Sequence, residues 1–309
     1  MKKWLIVFFI GIIILIGALY AFIPNIIKVT SSTGIKATGT GIHRMLLNKE
    51  NLAKWWPGQL NNNGFYLNDY SYKIDNNNIT LLQVSINGQS TSVTTSLFLI
   101  SLMTDSTQLE WVGSMATSYN PVKRFLAYLE AKKLNRDMNV ILKRMKLFYS
   151  KPENIYGFEI RKSFVADSFL ISTSGRSKGY PTNRYIYGLI DQLRKYALLQ
   201  SAKESGYPML NIETTDSINF DVRVAIPTDK LLPSSGAIQQ KQMLGRGNIL
   251  VAEVKGGIEM TSQAIREVQH YVQDYKRKAP AIHFYSLITD RLIEPDSSKW
   301  ITKIYFPVM

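Results

Sequence analysis

Residue types that commonly do chemistry are scarce in this chain. Its 309 residues include no cysteine, which excludes disulfides, a thiol nucleophile and a cysteine-ligated metal. The three histidines, His43, His270 and His283, lie far apart in the sequence and show no metal-ligand spacing. No two carboxylates stand out as an acid and its base. We therefore expect no catalytic residue, no metal site and no cofactor.

The last strand pattern, "WITKIYFPV" (300–308), holds the most distinctive candidates for binding. Alternate side chains of a strand point to opposite faces, so Lys303 and Tyr305 share one face. There a lysine could pair with an anionic group, and a tyrosine could stack on a ring. Tyr285, in the neighbouring strand pattern, is the third candidate for a ligand-binding residue. The plainer alternative for Lys303 is a solvated lysine whose stem rests on Tyr305.

These candidates belong to a pattern that occurs twice in the second half of the chain. Each copy has the order strand, helix, strand, strand, starting near Ile155 and again near Ala237. Thr261 is the predicted N-cap of the second helix. Two copies of one unit usually pack about a pseudo-twofold axis, so we expect a groove between them.

Residues 155–309 resemble the gyrase-inhibitor-like (GyrI-like) effector-binding domain, through "RGNILVAEVKGG" and then "DSSKWITKIYFPV". The resemblance implies a saddle whose groove binds hydrophobic, often cationic, aromatic compounds. It also implies an acidic residue in the closing strand, which a few members use to hydrolyse small reactive rings. Lys303 stands where that glutamate is expected, so we carry over neither the cation preference nor the hydrolysis. A lone cation in an apolar groove repels cations, which favours an anionic or neutral ligand that is hydrophobic or aromatic.

The middle of the chain has the element order of a helix-grip fold. A strand and one or two short helices precede an antiparallel meander (65–74, 79–86, 92–100 and 106–115) and one long helix. That helix carries one apolar stripe, formed by Leu134, Met138, Ile141, Met145 and Phe148.

The stretches "ATGTGIHRMLLNKENLAKWWPG" and "MNVILKRMKLF" resemble the start and the last helix of START-like (SRPBCC, polyketide-cyclase-like) domains. The resemblance implies an apolar cavity closed by the long helix, which takes a lipid-like or aromatic ligand or serves only as a scaffold. Trp55, Trp56 and Trp111 could face such a cavity. We favour the alternative that they are core residues.

The N-terminal segment predicts a membrane anchor. Trp4 to Ile23 carry no charge, and twenty residues at about 1.5 Å each span a hydrocarbon core roughly 30 Å thick. Lys2 and Lys3 precede this segment, so the positive-inside rule places the N-terminus in the cytoplasm and the rest outside it. A cleaved signal peptide is the alternative, although its apolar core is normally only about 7–15 residues long.

The net charge of +14 has no DNA-binding motif beside it. For an extracytoplasmic chain we therefore expect no nucleic-acid partner. An anionic membrane surface or an acidic ligand fits the charge better.

Together these patterns predict an α+β chain with a transmembrane anchor (1–24), a START-like domain (25–152) and a GyrI-like domain (153–309). We expect a single-pass inner-membrane protein of a bacterium that binds or senses a small molecule without catalysis. One alternative is a small-molecule hydrolase or cyclase-like enzyme, which needs an acid or base with a shifted pKa in a pocket. The other is an envelope protein that binds a partner through its basic helix around 123–146.

Overall fold

The structure, a computed structural model, describes residues 2–61, 64–89, 91–166, 168–216, 218–243 and 245–309. Its contacts divide the chain into two units, Met1–Lys151 and Pro152–Met309. Each unit contains one antiparallel sheet with helices packed against it, so the predicted α+β class is confirmed. The predicted boundary between the two folded domains, 152/153, lies one residue after this division.

The first element is an apolar helix, α1 (Lys2–Phe22). In the part of the chain that the structure describes, no other helix is long and apolar enough to cross a membrane. Pro24 follows closely, and a proline cannot continue a helix because it has no backbone N–H. Membrane anchoring and the orientation of the chain stay predictions.

The rest of the first unit is a seven-stranded antiparallel sheet with one long helix and two short ones. The strands are β1 (Ile26–Ile35), β2 (Gln59–Asn61), β3 (Gly64–Leu67), β4 (Tyr70–Asn78), β5 (Leu81–Asn87), β6 (Ser92–Met103) and β7 (Ser106–Ala116), and the helices are α2 (Gly39–Leu46), α3 (Lys49–Ala53) and α4 (Pro121–Tyr149). They lie in the order β1-β7-β6-β5-β4-β3-β2, and α4 packs against β1 and β7. This is the predicted helix-grip order.

One predicted strand of the meander is a hairpin in the structure. The pattern predicts a single strand over 65–74, but Leu67 pairs with Tyr70 across a two-residue turn. Asn68 has φ of 50°, a conformation that asparagine tolerates better than most residues. Its Nδ2 also donates a hydrogen bond to Asp137 on α4, at 2.7 Å, which ties the turn to the helix.

Helix α4 has a capped start and largely packs as its sequence predicts. Asn120 is the N-cap, and its Oδ1 accepts from the backbone N–H groups of Val122 and Lys123. The predicted stripe is confirmed at four positions, each at most 2% exposed: Leu134, Met138, Ile141 and Met145. Phe148 is only half-buried, and Tyr149 is the fully buried aromatic residue at this end.

The second unit is an eight-stranded antiparallel sheet with three α-helices and one 3-10 turn. The strands are β8 (Ile160–Phe164), β9 (Ser168–Lys178), β10 (Met209–Thr214), β11 (Asn219–Thr228), β12 (Gln239–Met243), β13 (Asn248–Lys255), β14 (Phe284–Leu287) and β15 (Ile301–Val308); the helices are α5 (Pro152–Tyr156), α6 (Asn183–Leu199) and α7 (Ile258–Asp274), and the 3-10 turn is Ser297–Lys299. The strand order is β12-β9-β11-β10-β14-β15-β13-β8.

The predicted duplication is confirmed, because β9-α6-β10-β11 and β13-α7-β14-β15 follow the same order and meet at β10 and β14. Each copy is also preceded by an extra strand that the sequence pattern does not separate. These extra strands cross over, since β8 pairs with β13 of the second copy and β12 pairs with β9 of the first. Each copy therefore completes the outer edge of the other.

The start of α7 differs from the prediction. The helix begins at Ile258, after Gly256, whose φ of 141° is open to glycine. Thr261 lies inside the first turn, where its Oγ1 donates to the Gly257 carbonyl at 3.0 Å. The predicted N-cap at Thr261 is therefore wrong, because the glycine turn places the N-cap at Gly257, four residues earlier.

A candidate ligand groove on the open face of the second sheet

Cross-strand register divides the second sheet into two faces. One row joins residues that are at most 4% exposed, in the order Val224, Leu210, Tyr285, Ile304 and Ala252. Helix α6 packs against β9 and β11, and α7 packs against β13 and β15. Buried residues alternate with more exposed ones along β11, β13 and β15, and the residues of this row are among the buried ones. This row therefore belongs to the face that the helices cover.

The neighbouring row points the other way. It joins the residues adjacent in sequence to those of the first row: Ala225, Met209, Ser286, Lys303 and Glu253. We call this side of the sheet, away from α6 and α7, the open face. Many of its side chains are partly exposed, so it can meet a ligand directly.

A groove of about 670 Å³ lies on the open face, between β12 at one edge and β14 near the middle of the sheet. Its apolar lining residues include Leu170, Met209, Met243, Ile282, Phe284 and Pro307. This volume falls within the range of roughly 300–1,000 Å³ that is typical of small-molecule sites. An apolar lining of this size favours a ligand with a substantial hydrophobic or aromatic part.

The charged groups of the groove are basic. Arg223 Nη1 donates to the Asn211 amide oxygen at 3.1 Å and to the Glu213 carboxylate at 2.9 Å. Asn211, 3% exposed, is held in turn because its Nδ2 donates to the His283 carbonyl at 2.9 Å. Lys241 is the second cation, and the described lining residues include no carboxylate. The part of the chain that the structure describes also contains no cluster of three acidic or histidine side chains that could hold a metal.

Lys303 and Tyr305 share the open face beside this groove. The Tyr305 ring stacks on the Phe284 ring, with centroids 5.0 Å apart and planes 13° apart. Lys303 lies across the ladder from Glu253, and its Nζ is 3.5 Å from the carboxylate. Tyr305 therefore extends the aromatic wall, whereas the charge of Lys303 already has a partner. Ligand binding by these two residues stays a prediction.

Tyr285 lies on the opposite face, so its expected place in the groove wall is corrected. It is directly across from Ile304 and only 4% exposed. Its hydroxyl is hydrogen-bonded to Tyr180, and burial raises the pKa of Tyr285 well above its ordinary value. The Arg291 guanidinium also lies close to it and stacks 4.8 Å from the Trp300 ring. The sheet thus separates Tyr285 from Lys303 and Tyr305.

No family model and no curated protein matches this chain. Solved structures resemble parts of it. A structure of the EcmrR–DNA complex in EcmrR-RPo covers 62% of this chain and 72% of its own, at 19% identity and a TM-score of 0.45. SAV2435 bound to tetraphenylphosphonium covers 49% and 94%, at 18% identity and a TM-score of 0.34.

Another similar structure is the Aha1 dimer from Colwellia psychrerythraea. It covers 40% of this chain and 96% of its own, at 18% identity and a TM-score of 0.31. Because all three TM-scores lie below 0.5, we infer function from this chain's own residues.

The sequence did not single out the residues that shape the groove. Phe284 neighbours Tyr285 and points to the other face, and the alternation within this strand was visible in the sequence. The sequence did not show which residues of β14 and β15 share a face, because the long connection between the two strands (288–300) does not fix their register. Asn211 and Arg223 each interrupt an apolar strand, and the sequence could have marked them as candidates for that reason. That they face each other across two strands was visible only in the folded sheet.

The expected ligand cavity between the sheet and the long helix of the first unit is much smaller. The cavity beneath α4 measures about 40 Å³, which is too small for a lipid-like ligand. Trp55 and Trp111 are 7% and 2% exposed, and their indole N–H groups donate to Tyr149 (2.7 Å) and Thr95 (2.8 Å). Trp56 is half-buried. These positions agree with the interpretation of the tryptophans as core residues.

Proposed function

We propose that this chain is a small-molecule binding protein whose second unit holds an apolar or aromatic ligand in the open-face groove. The observation that carries the proposal is the combination of a 670 Å³ apolar groove with a fixed guanidinium, Arg223, at its lining. Small-molecule sites typically combine an apolar wall with a few well-placed polar groups that set orientation. The GyrI-like resemblance of residues 155–309 points to the same class of function.

The ligand that suits this groove is neutral or anionic. Arg223 and Lys241 are its cations, and the nearby carboxylate, Glu213, is already paired with Arg223. An aromatic anion would meet Phe284 with its ring and Arg223 with its charge. A cation would meet two like charges and no free carboxylate among the described lining residues.

The rest of the chain suits a membrane-anchored, non-enzymatic binding protein. In this proposal α1 is a single-pass anchor of the inner membrane, and both units lie outside the cytoplasm. The first unit is START-like and serves as a scaffold, which agrees with the small size of its cavity and with the tryptophans that line it. A nucleic-acid partner has no place in this arrangement.

Two ligands with the same ring and opposite charge test the groove. The full chain in lipid nanodiscs is dialysed against 2-naphthalenesulfonate or 2-naphthylmethylammonium, with empty nanodiscs as the blank. We expect the sulfonate to bind more tightly. Phe284→Ala should weaken binding of the sulfonate about tenfold, equivalent to about 1.4 kcal/mol. Tyr285→Phe, on the opposite face, is the control and should leave binding unchanged.

A preference for the ammonium ligand, or equal binding by the native chain and Phe284→Ala, would overturn the proposal. Lys303→Glu tests whether Lys303, which lies beside the groove, takes part in ligand binding. If Lys303 takes part in binding, this variant shifts preference toward the cation, and if it does not, both proteins show the same preference.

A further inference from the structure

The first turns of α4 expose an apolar stripe. Val122, Phe125, Leu126 and Leu129 are spaced by three, one and three residues, which places them on one side of the helix. They are 66%, 47%, 52% and 39% exposed. Apolar side chains this exposed, on contiguous turns, usually mark a surface that meets a partner or a membrane. The described contacts of the unit leave this stripe uncovered.

This stripe is joined to the end of α1. The buried side chain of Arg124 donates from Nε to the Ile23 carbonyl at 2.9 Å and from Nη2 to the Asn25 amide oxygen at 2.9 Å. Its guanidinium lies 4.7 Å from the centre of the Tyr20 ring, and the Tyr20 hydroxyl donates to the Tyr119 carbonyl. The start of α4 is therefore held beside the last turn of α1.

An apolar groove of about 640 Å³ opens between the two helices. The residues that argue for its occupant are Leu15, Leu19 and Phe22 on α1, and Val122, Phe125 and Tyr128 on α4. One wall is thus the C-terminal part of α1. From Leu15 to Phe22 this wall rises about 10 Å, which is less than one leaflet of a hydrocarbon core roughly 30 Å thick.

We propose that the exposed stripe and this groove lie in the outer leaflet of the membrane that α1 spans, with lipid acyl chains filling the groove. The inference rests on the proposed anchor, because the wall supplied by α1 is in hydrocarbon only if α1 crosses the bilayer. Lipid is then the molecule that meets that wall. Lys123 lies in the first turn of α4, and Lys132, whose ammonium lies over the Tyr128 ring, follows the stripe; both are placed to meet anionic headgroups.

Lipid contact has a structural consequence. A single helix leaves the domain that follows it free to tilt, whereas a second apolar contact fixes its orientation. The first unit would then rest against the membrane on the start of α4 as well as being tethered by α1. This is the arrangement of an interfacial helix that lies against the headgroup and acyl boundary.

The chain contains no cysteine, so single cysteines can be placed for labelling. A nitrobenzoxadiazole fluorophore is attached at Leu126 or Leu129 in the stripe, at Ile13 in the middle of α1, or at Leu147. Leu147 is the matched control, because it is an exposed leucine (59%) on α4, about 30 Å further along the helix. The full chain is reconstituted in vesicles of phosphatidylglycerol and phosphatidylcholine, with or without lipids that carry a nitroxide on carbon 5.

We expect nitroxide lipid to reduce the fluorescence at residues 126 and 129 at least twofold, and to leave residue 147 almost unchanged. Quenching at residue 13 together with none at residues 126 and 129 overturns this inference while the anchor stands. No quenching at residue 13 overturns the anchor itself. Transfer between labels at residue 126 on two copies, without quenching by lipid, shows a self-association surface instead and also overturns the inference.

Discussion

The Lys303 ammonium lies 3.5 Å from the Glu253 carboxylate, directly across the ladder that joins β15 to β13. Both side chains are partly exposed, at 38% and 59%, so water screens the attraction. Like charges at directly opposed positions destabilise a sheet. Glu253 is thus the charge partner of Lys303, a pairing that the sequence alone did not show.

Reversing one charge tests this pair. Lys303→Glu places two carboxylates opposite each other and should lower the free energy of unfolding by about 0.5–1 kcal/mol. Adding Glu253→Lys should recover most of that loss, since the pair is then restored in reverse. Urea unfolding of the two single variants and the double variant gives the coupling energy, which should shrink in high salt. A coupling above about 2 kcal/mol would contradict an exposed pair.

Thr95 accepts a hydrogen bond from the indole N–H of a buried tryptophan. Trp111 Nε1 donates to Thr95 Oγ1 at 2.8 Å, and that hydroxyl donates to the Val84 carbonyl at 2.8 Å. Thr95→Val keeps the shape of the side chain but leaves the indole N–H without its acceptor. We expect the free energy of unfolding to fall by about 1–3 kcal/mol.

The neighbouring Thr94 is exposed on the same strand and provides the matched control. Thr94→Val should change stability by no more than about 0.5 kcal/mol. Tryptophan fluorescence during urea unfolding reports both variants. Equal effects of the two substitutions would show that the hydrogen bond to Trp111 adds nothing.

Asp137 should make the first unit less stable as pH rises. Its side chain is buried on α4, and burial raises the pKa of this carboxyl above its usual range, although hydrogen bonds from Asn68 and Tyr72 oppose the shift. A raised pKa means that the folded state binds the proton more tightly than the unfolded state. The free energy of unfolding therefore falls as pH rises from the ordinary aspartate pKa through the raised value.

Asp137→Asn removes this titration, so the stability of the native chain relative to the variant should decline as pH is raised from about 4 toward neutrality. Asp216→Asn is the control, because hydrogen bonds from Asn219 and from backbone N–H groups lower the pKa of Asp216, so its contribution is complete above the ordinary aspartate pKa and its difference should stay constant there. Urea midpoints across this pH range provide the measurement. A constant or rising difference for Asp137 would contradict the assignment.

Arg124 should control local opening between α1 and the rest of the first unit. Its bonds to the Ile23 carbonyl and the Asn25 amide oxygen are charge-assisted and shielded from water. Hydrogen bonds of this kind contribute about 1.5–3 kcal/mol, so Arg124→Met should speed local opening about tenfold or more. Hydrogen exchange of the amides around residues 23–27, in nanodiscs, measures the change.

The exposed Lys123 on the same turn gives the comparison, and Lys123→Met should leave exchange around residues 23–27 unaltered. If both variants exchange at the native rate, the Arg124 contacts do not hold α1 in place.

Local periodicity was sufficient for much of the fold. The stripe from Leu134 to Met145 predicted the buried face of α4, since residues three and four apart share one side of a helix. The order strand, helix, strand, strand occurs twice in the sequence, and this repeat predicted the duplicated sheet. Local signals were weaker at chain turns, where Asn68 and Gly256 moved the boundaries of a strand and a helix.

Hydropathy and periodicity were enough to predict the apolar length of α1, the class and order of the elements, and the shared face of Lys303 and Tyr305. The folded sheet was needed to show that Tyr285 faces the helices, that Phe284 stacks on Tyr305, that Glu253 pairs with Lys303, and that β8 and β12 cross to the opposite copy. The physical reason is that side-chain alternation sets the faces within one strand. The register between strands joined by long connections depends on packing of the whole sheet.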